Sequence, residues 1–90
     1  MTFDWDPGKA ASNFAKHRVR FADAASSLED PEGRSMSDPD SIDEQRFLFL
    51  GSDPGGRVLL TVYAVRGQVT RITSSRKASR AERRMYEADI

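Results

Sequence analysis

The strongest constraint on the fold is a pair of apolar segments in the second half of the chain. Residues 57–65 (RVLLTVYAV) are apolar on both faces of an extended chain, which predicts a central strand. Residues 45–51 (QRFLFLG) predict a neighbouring strand, because the turn-forming residues 53–56 (DPGG) separate the two segments. After a short hairpin loop at residues 66–68, residues 69–75 predict a third, antiparallel strand rich in β-branched side chains.

Helix signals flank these strands. Asp6 followed by Pro7 is typical of a helix start, an N-cap acceptor before a proline at the first helical position, and predicts a helix over residues 7–17. A second helix is predicted over residues 22–28, ended by Pro31. The buried stripe of the first helix is predicted to consist of Ala10, Ala11, Phe14, Ala15 and His17.

The last helix is predicted over residues 78–88, because Ser79 and Glu82 have capping-box spacing. Its apolar stripe is predicted to be Ala78, Ala81, Met85 and Ala88. Residues 30–44 are rich in turn formers, with at most a short edge strand near 34–37. The predicted fold is therefore α+β: two N-terminal helices, an antiparallel meander of three to four strands, and a C-terminal helix, with the helices on one face.

Length and composition narrow the class of protein. Ninety residues predict one domain over residues 1–90. The absence of cysteine excludes disulfides and cysteine-based zinc sites, and with a single histidine it argues against a transition metal, so no metal or cofactor is predicted. No signal sequence is visible, and no apolar run approaches the roughly 20 residues of a membrane helix. A soluble cytoplasmic protein is predicted.

The charge of the chain is balanced in total but segregated along its length. Residues 57–84 carry eight basic residues against Glu82 alone, whereas residues 21–56 carry nine acidic and two basic residues. One interpretation is a basic surface that binds phosphate groups. The other is that the two segments neutralise each other across the fold.

Two arginines are the leading candidates for phosphate chemistry. Arg71 lies within a predicted strand, and Arg76 lies between that strand and the last helix. A guanidinium suits such a role, because its planar fork holds two phosphate oxygens and stays charged at any working pH. The alternative for both is a surface arginine paired with the acidic segment.

Two further residues are candidates for proton transfer. His17 is the only histidine and can act as general acid or base; alternatively it caps the first helix or packs beside Phe14. Tyr86 can exchange a proton if cations surround it; alternatively it anchors the last helix to the sheet. Glu82 is expected to cap its helix and pair with an arginine. The predicted substrate-binding residues are Lys16, Lys77, Arg80 and Arg83.

Three sequence pieces, in order, resemble the signatures of a known family. The first is Phe3-Asp4-Trp5-Asp6-Pro7-x-Lys9-Ala10-x-x-Asn13-x-x-Lys16-His17-x-Val19-x-Phe21-x-x-Ala24. The second is Glu44-x-Arg46 before a strand ending in Gly51, and the third runs from Arg71 to Tyr86. Together they are similar to the BrnT toxins. Arg18 departs from the pattern, since the family usually has glycine there.

The resemblance implies a RelE-like ribonuclease toxin of a type II toxin–antitoxin pair that cleaves RNA without a metal and inhibits translation. It also implies a BrnA-type antitoxin with a ribbon-helix-helix DNA-binding domain, so that operator DNA is reached only through the antitoxin. The alternative is a non-catalytic module that binds nucleic acid or the antitoxin. Such a module would show salt-dependent binding without cleavage.

Overall fold

A computed structural model gives the chain a mixed five-stranded sheet and three helices, and it describes residues 1–88. In chain order the elements are β1 (Thr2–Asp4), α1 (Pro7–His17), α2 (Phe21–Ser27), β2 (Arg34–Ser37), β3 (Arg46–Ser52), β4 (Val58–Arg66), β5 (Val69–Lys77) and α3 (Arg80–Glu87).

The sheet order is β1-β5-β4-β3-β2. Strands β2 to β5 form the predicted antiparallel meander, with β4 in the centre and β2 as the short edge strand. The prediction missed β1, which pairs parallel with β5 and places Thr2 beside Val69. The purely antiparallel sheet was therefore wrong. Three residues are too few for a visible alternation, and their partner lies at the other end of the chain.

The helices lie on both faces of the sheet. Gly51 lies against the carbonyl of Ser27 in α2. Because successive side chains of a strand project from opposite faces of the sheet, Leu50 of β3 projects from the face opposite α2. Leu50 pairs with Leu60, and Leu60 pairs with Arg76, whose guanidinium binds Glu82 of α3. The prediction that all helices share one face was therefore wrong, and α3 covers the face opposite α2.

The main buried cluster lies between the sheet and α2. It consists of Phe21, Ala24, Leu28 and Ile72, with Phe3 and Trp5 packed against it from the N-terminal segment. The predicted stripe of α3 was wrong, because none of its residues is buried and Met85 is 44% exposed. Because Arg76 projects from the sheet toward this helix, α3 faces the sheet with polar side chains.

The side chain of Asn13 makes hydrogen bonds to the edge of β5 that a neighbouring strand would otherwise make. Its side-chain nitrogen donates to the carbonyl oxygens of Ser75 (2.8 Å) and Val19 (3.0 Å), and its oxygen accepts from the amide of Ser75 (3.1 Å). Because β1 pairs only as far as Arg71, the rest of this edge needs other partners. Asn13 is therefore the buried residue of α1.

The stripe predicted for α1 was wrong in part, since Ala11 and Ala15 are exposed. Hydrophobic spacing placed the stripe beside Asn13 and could not anticipate a buried amide. The helix ends at Arg18, which has a left-handed backbone (φ 59°), the conformation for which glycine is best suited. Arg18 lies over the ring of Phe14, as does Arg20.

Replacing Gly51 with alanine is expected to destabilise the fold by about 1–3 kcal/mol. An added Cβ would overlap the carbonyl oxygen of Ser27 and lie 2.6 Å from the ring of Phe49, so α2 would have to move away from β3. Urea unfolding measures the change. Gly55→Ala is the matched control, because its Cβ would meet only an Asp53 oxygen at 3.5 Å. Equal stability of the two variants would contradict this packing.

Candidate functional site

Two arginines face each other across the sheet on the side that carries α3. Arg46 of β3 is in register with Ala64 of β4, and Ala64 is in register with Arg71 of β5. Residues aligned in this way project from the same face. Because Ala64 is small, it leaves space between the two longer side chains. The prediction placed Arg71 on a rigid strand, and the structure agrees.

Arg71 lines a cleft of about 280 Å³, which we call the Arg71 cleft. Arg46, Arg66, Lys9, Glu44 and Thr73 also line it. The cleft is formed where the sheet, the loop before β3 and the first turn of α1 meet. Among the charged residues that line it, Lys9, Arg46, Arg66 and Arg71 outnumber Asp43 and Glu44, so the cleft favours an anion.

Glu44 is held in the Arg71 cleft by a two-pronged ion pair. Nε and one terminal nitrogen of Arg66 donate to its two carboxylate oxygens at 2.8 and 3.0 Å. These bonds, with the nearby charges of Arg71 and Arg46, lower the pKa of Glu44. The carboxylate is therefore ionised at neutral pH. Arg71 itself pairs with Asp4 of β1 at 3.1 Å, in a partly exposed contact that a phosphate can replace.

His17 and Lys16 lie beside this cleft but line a different cavity. They border a groove of about 560 Å³ along α1, which we call the α1 groove, together with Ser74 at its β5 side. Lys9 and Thr73 line both the α1 groove and the Arg71 cleft. The structure thus places His17 and Lys16 in a cavity that adjoins the one containing Arg71.

Arg76 forms an ion pair with a residue of α3. Its two terminal nitrogens donate to the carboxylate oxygens of Glu82 at 2.9 and 3.0 Å. This pair raises the pKa of Arg76 and lowers that of Glu82. Glu82 also accepts from the backbone amide of Ser79, which completes the predicted capping box. β5 extends through Lys77, so Arg76 lies within the strand and not after it.

Tyr86 is tied to an acid and not to cations. Its hydroxyl donates to the carboxylate of Asp30, and this bond, with burial and the charges of Asp30 and Glu32, raises the pKa of Tyr86 to about 12. A hydroxyl with this pKa stays protonated at neutral pH and cannot serve as a base. The expected cationic surround is absent from the described contacts of Tyr86, and the contact favours the anchoring role.

Replacing Tyr86 with phenylalanine is expected to lower stability by about 1 kcal/mol at neutral pH, since the Asp30 hydrogen bond is lost. Burial raises the pKa of Asp30, but bonds from Tyr86 and from the amides of Ser52 and Glu32 outweigh it, so the pKa is lowered. Chemical denaturation of both proteins across a pH series measures the difference.

The pH dependence of that difference has a defined sign on each side. A lowered acid pKa stabilises the fold fully above the unfolded value of about 3.9, so the difference shrinks as pH falls below it. The raised pKa of Tyr86 stabilises the fold fully below about pH 10, so the difference also shrinks as pH rises from there through about 12. Tyr63→Phe is the control, because its hydroxyl meets only Ser35. A pH-independent difference would contradict the contact.

The remaining predicted substrate-binding residues lie at other cavities. Lys77 and Arg83 line a shallow cavity with Arg57, and Arg80 and Arg83 line another along α3. Neither cavity contains Arg71. Sequence reasoning missed Lys9, Arg46 and Glu44 as residues of the Arg71 cleft. Glu44 and Arg46 belonged to a recognised signature, but their position beside Arg71 depends on the register of three strands.

Within residues 1–88, no group of three or more histidine, aspartate or glutamate side chains is arranged to hold a metal ion. No helix among these described residues is long and apolar enough to cross a membrane.

Comparisons with known proteins place this fold and sequence in a family. Residues 5–82 match the family described as the ribonuclease toxin BrnT of type II toxin–antitoxin systems. The crystal structure of the Brucella abortus ribonuclease toxin BrnT is similar, with a TM-score of 0.65 and 26% identity, over 89% of this chain and 99% of that one. A search of curated protein sequences finds no match. Because the family match spans most of the chain, the protein belongs to the BrnT family of type II toxins.

Proposed function

We propose that the protein is an endoribonuclease that cleaves RNA in the Arg71 cleft without a metal ion. The observation that carries the proposal is the alignment of Arg46 and Arg71 across Ala64, in a cleft that also holds an ionised carboxylate. Family membership supports ribonuclease activity in general. The cleft adds specific groups that can perform it.

Cleavage without a metal requires charge stabilisation and two proton transfers. The 2′-oxygen of RNA attacks the adjacent phosphorus, the bond to the 5′-oxygen breaks, and a 2′,3′-cyclic phosphate and a 5′-hydroxyl result. In this proposal Arg71 and Arg46 bind the non-bridging oxygens and stabilise the negative charge that grows on them. Both side chains start from the sheet, and a bound phosphate would replace the ion pairs that Arg71 makes with Asp4 and Arg46 makes with Asp38.

Glu44 is proposed as the general base. Arg66 orients its carboxylate in the Arg71 cleft, where it would take the proton of the 2′-hydroxyl as the 2′-oxygen attacks. His17 is proposed to protonate the leaving oxygen, since the α1 groove adjoins the cleft through Lys9 and Thr73. Arg76 and Tyr86 are reassigned to holding α3 on the sheet.

In the cell, the proposed activity degrades RNA in the cytoplasm and thereby inhibits translation. The partner is an antitoxin that neutralises the toxin, consistent with membership in a type II family. We propose a BrnA-type antitoxin with a ribbon-helix-helix domain, so that the complex reaches operator DNA through the antitoxin alone. Such an antitoxin would neutralise the toxin by covering the basic Arg71 cleft.

Induced expression tests this function. Growth and protein synthesis should stop after induction, cellular RNA should shorten, and co-expression of the neighbouring small gene product should restore both. A protein that bound RNA with strong salt dependence but never shortened it would instead be the non-catalytic module, and the proposal would be overturned.

A further inference from the structure

We propose that the α1 groove is a second binding site for substrate, which holds the backbone of single-stranded RNA next to the phosphate that is cleaved. Lys9 and Lys16 would bind the phosphates of this flanking strand. The inference rests on the proposed ribonuclease function and deepens it. It assigns to Lys9 and Lys16 of α1 a substrate-positioning role, beside the proton transfer proposed for His17.

The geometry of the two cavities provides the first argument. Lys9 and Thr73 line both of them, so the two cavities adjoin at these residues and a strand that leaves the Arg71 cleft there would reach the α1 groove. Of the two, the α1 groove is the larger, about 560 Å³ against 280 Å³. A cleft of the smaller size holds the reacting phosphate and its neighbours, and the longer flanking strand requires the additional space.

A backbone irregularity forms the junction between the cavities. The pairing of β4 with β5 shifts register between Val62 and Tyr63, which leaves Thr73 as the extra residue of a β-bulge. The hydroxyl of Thr73 donates a hydrogen bond to the carbonyl of Val62, and this bond stabilises the bulge. Bulges bend a strand locally and redirect its side chains, and they are common beside active sites. Here the bulge lies at the passage from one cavity to the other.

The charges of the α1 groove provide the third argument. Lys9 and Lys16 are exposed, and neither side chain has an ion pair among the described residues 1–88. They lie seven residues apart on one helix face, which corresponds to about 10 Å along the helix axis. This distance is longer than the spacing between successive phosphates in a compact strand. Asp6 is the acid that lines the groove, and it accepts the amide of Lys9 as the helix cap.

The lining also indicates how the strand would be recognised. The residues of the α1 groove include no phenylalanine, tyrosine or tryptophan on which a base could stack. Contacts from lysines to phosphates position a nucleic acid but carry little sequence information. The groove therefore fits a single-stranded backbone of any sequence and adds affinity for RNA on one side of the cleavage point.

The test is the double variant Lys9→Ala with Lys16→Ala in the full-length protein. With a cleavable RNA, KM should rise on the order of tenfold with kcat unchanged. With a non-cleavable, fully 2′-O-methylated oligonucleotide, affinity should fall, and the slope of log affinity against log salt should become shallower by about 0.7 per lysine. The exposed positions of both lysines predict an unchanged melting temperature. Arg20→Ala, which removes one positive charge from an exposed position in the connection to α2, should change neither KM nor the salt slope.

The possible outcomes separate this inference from the proposed function. Normal KM and an unchanged salt slope in a double variant that still cleaves RNA would overturn the role of the groove and leave the ribonuclease function intact. A fall in kcat at constant KM would also overturn it, because the lysines would then act in the chemistry. A wild-type protein that neither bound nor cleaved RNA would contradict both proposals.

Discussion

Arg71→Ala is expected to lower the rate of RNA cleavage by about 10²–10³-fold, the loss typical when one stabilising group for a developing negative charge is removed. Arg71 lies on β5 between β1 and β4 and faces Arg46 across Ala64, so its guanidinium starts from a paired strand. The effect should fall on kcat. Single-turnover cleavage of a labelled RNA, together with growth after induced expression, measures it.

Two variants control for folding and for charge. The pair between Arg71 and Asp4 is partly exposed, so its loss should cost less than about 1 kcal/mol of stability. Arg71→Lys keeps the charge without the planar fork and should recover only part of the rate. Arg20→Ala removes the same charge at an exposed site and should cleave normally. Full toxicity of a folded Arg71→Ala protein would show that the catalytic centre lies elsewhere.

Asn13→Ala is expected to destabilise the protein by about 2–4 kcal/mol, because the amide and carbonyl of Ser75 and the carbonyl of Val19 lose their side-chain partners together. A domain of this size is stable by only about 5–15 kcal/mol, so the variant should melt many degrees lower. Urea unfolding followed by circular dichroism measures the difference.

The chemistry of Asn13 can be tested with a nearly isosteric change. Asn13→Asp keeps the size but replaces the donor to two carbonyl oxygens with an acceptor, so it should be at least as destabilising as alanine at neutral pH. It should recover stability as pH falls and its carboxyl gains a proton. Ala15→Ser, at an exposed position of the same helix, should change stability by less than about 0.5 kcal/mol. An Asn13→Asp protein as stable as the wild type would contradict the bridging role.

Much of the fold could be predicted because its signals are local. The two-sided apolar run of β4, the turn at residues 53–56 and the cap at Asp6 each depend on neighbours in sequence, and each prediction was confirmed within one or two residues. β1 and the role of Asn13 could not be predicted, because both depend on the far end of the chain. β1 pairs with residues 69–71, and Asn13 bonds to Ser75.

The site was predictable only where one residue carried the signal. Arg71 stood out as a cation within an apolar strand, whereas Lys9 and Glu44 join it only through the packing of α1 beside β5 and the loop before β3. Arg76 and Tyr86 were proposed as catalytic because the position of α3 was unknown. With α3 on the second face of the sheet, Arg76 is paired with Glu82, and Tyr86 is hydrogen-bonded to Asp30.

The chemistry of the cut ends shows whether the Arg71 cleft breaks the RNA backbone without a metal. Purified protein should be incubated with RNA in excess EDTA, beside the Arg71→Ala variant, and the termini of the fragments should be mapped. Attack by the 2′-oxygen predicts 2′,3′-cyclic phosphate and 5′-hydroxyl ends from the wild type and intact RNA from the variant. Cleavage that requires added metal, or that leaves 5′-phosphate ends, would contradict the proposed mechanism.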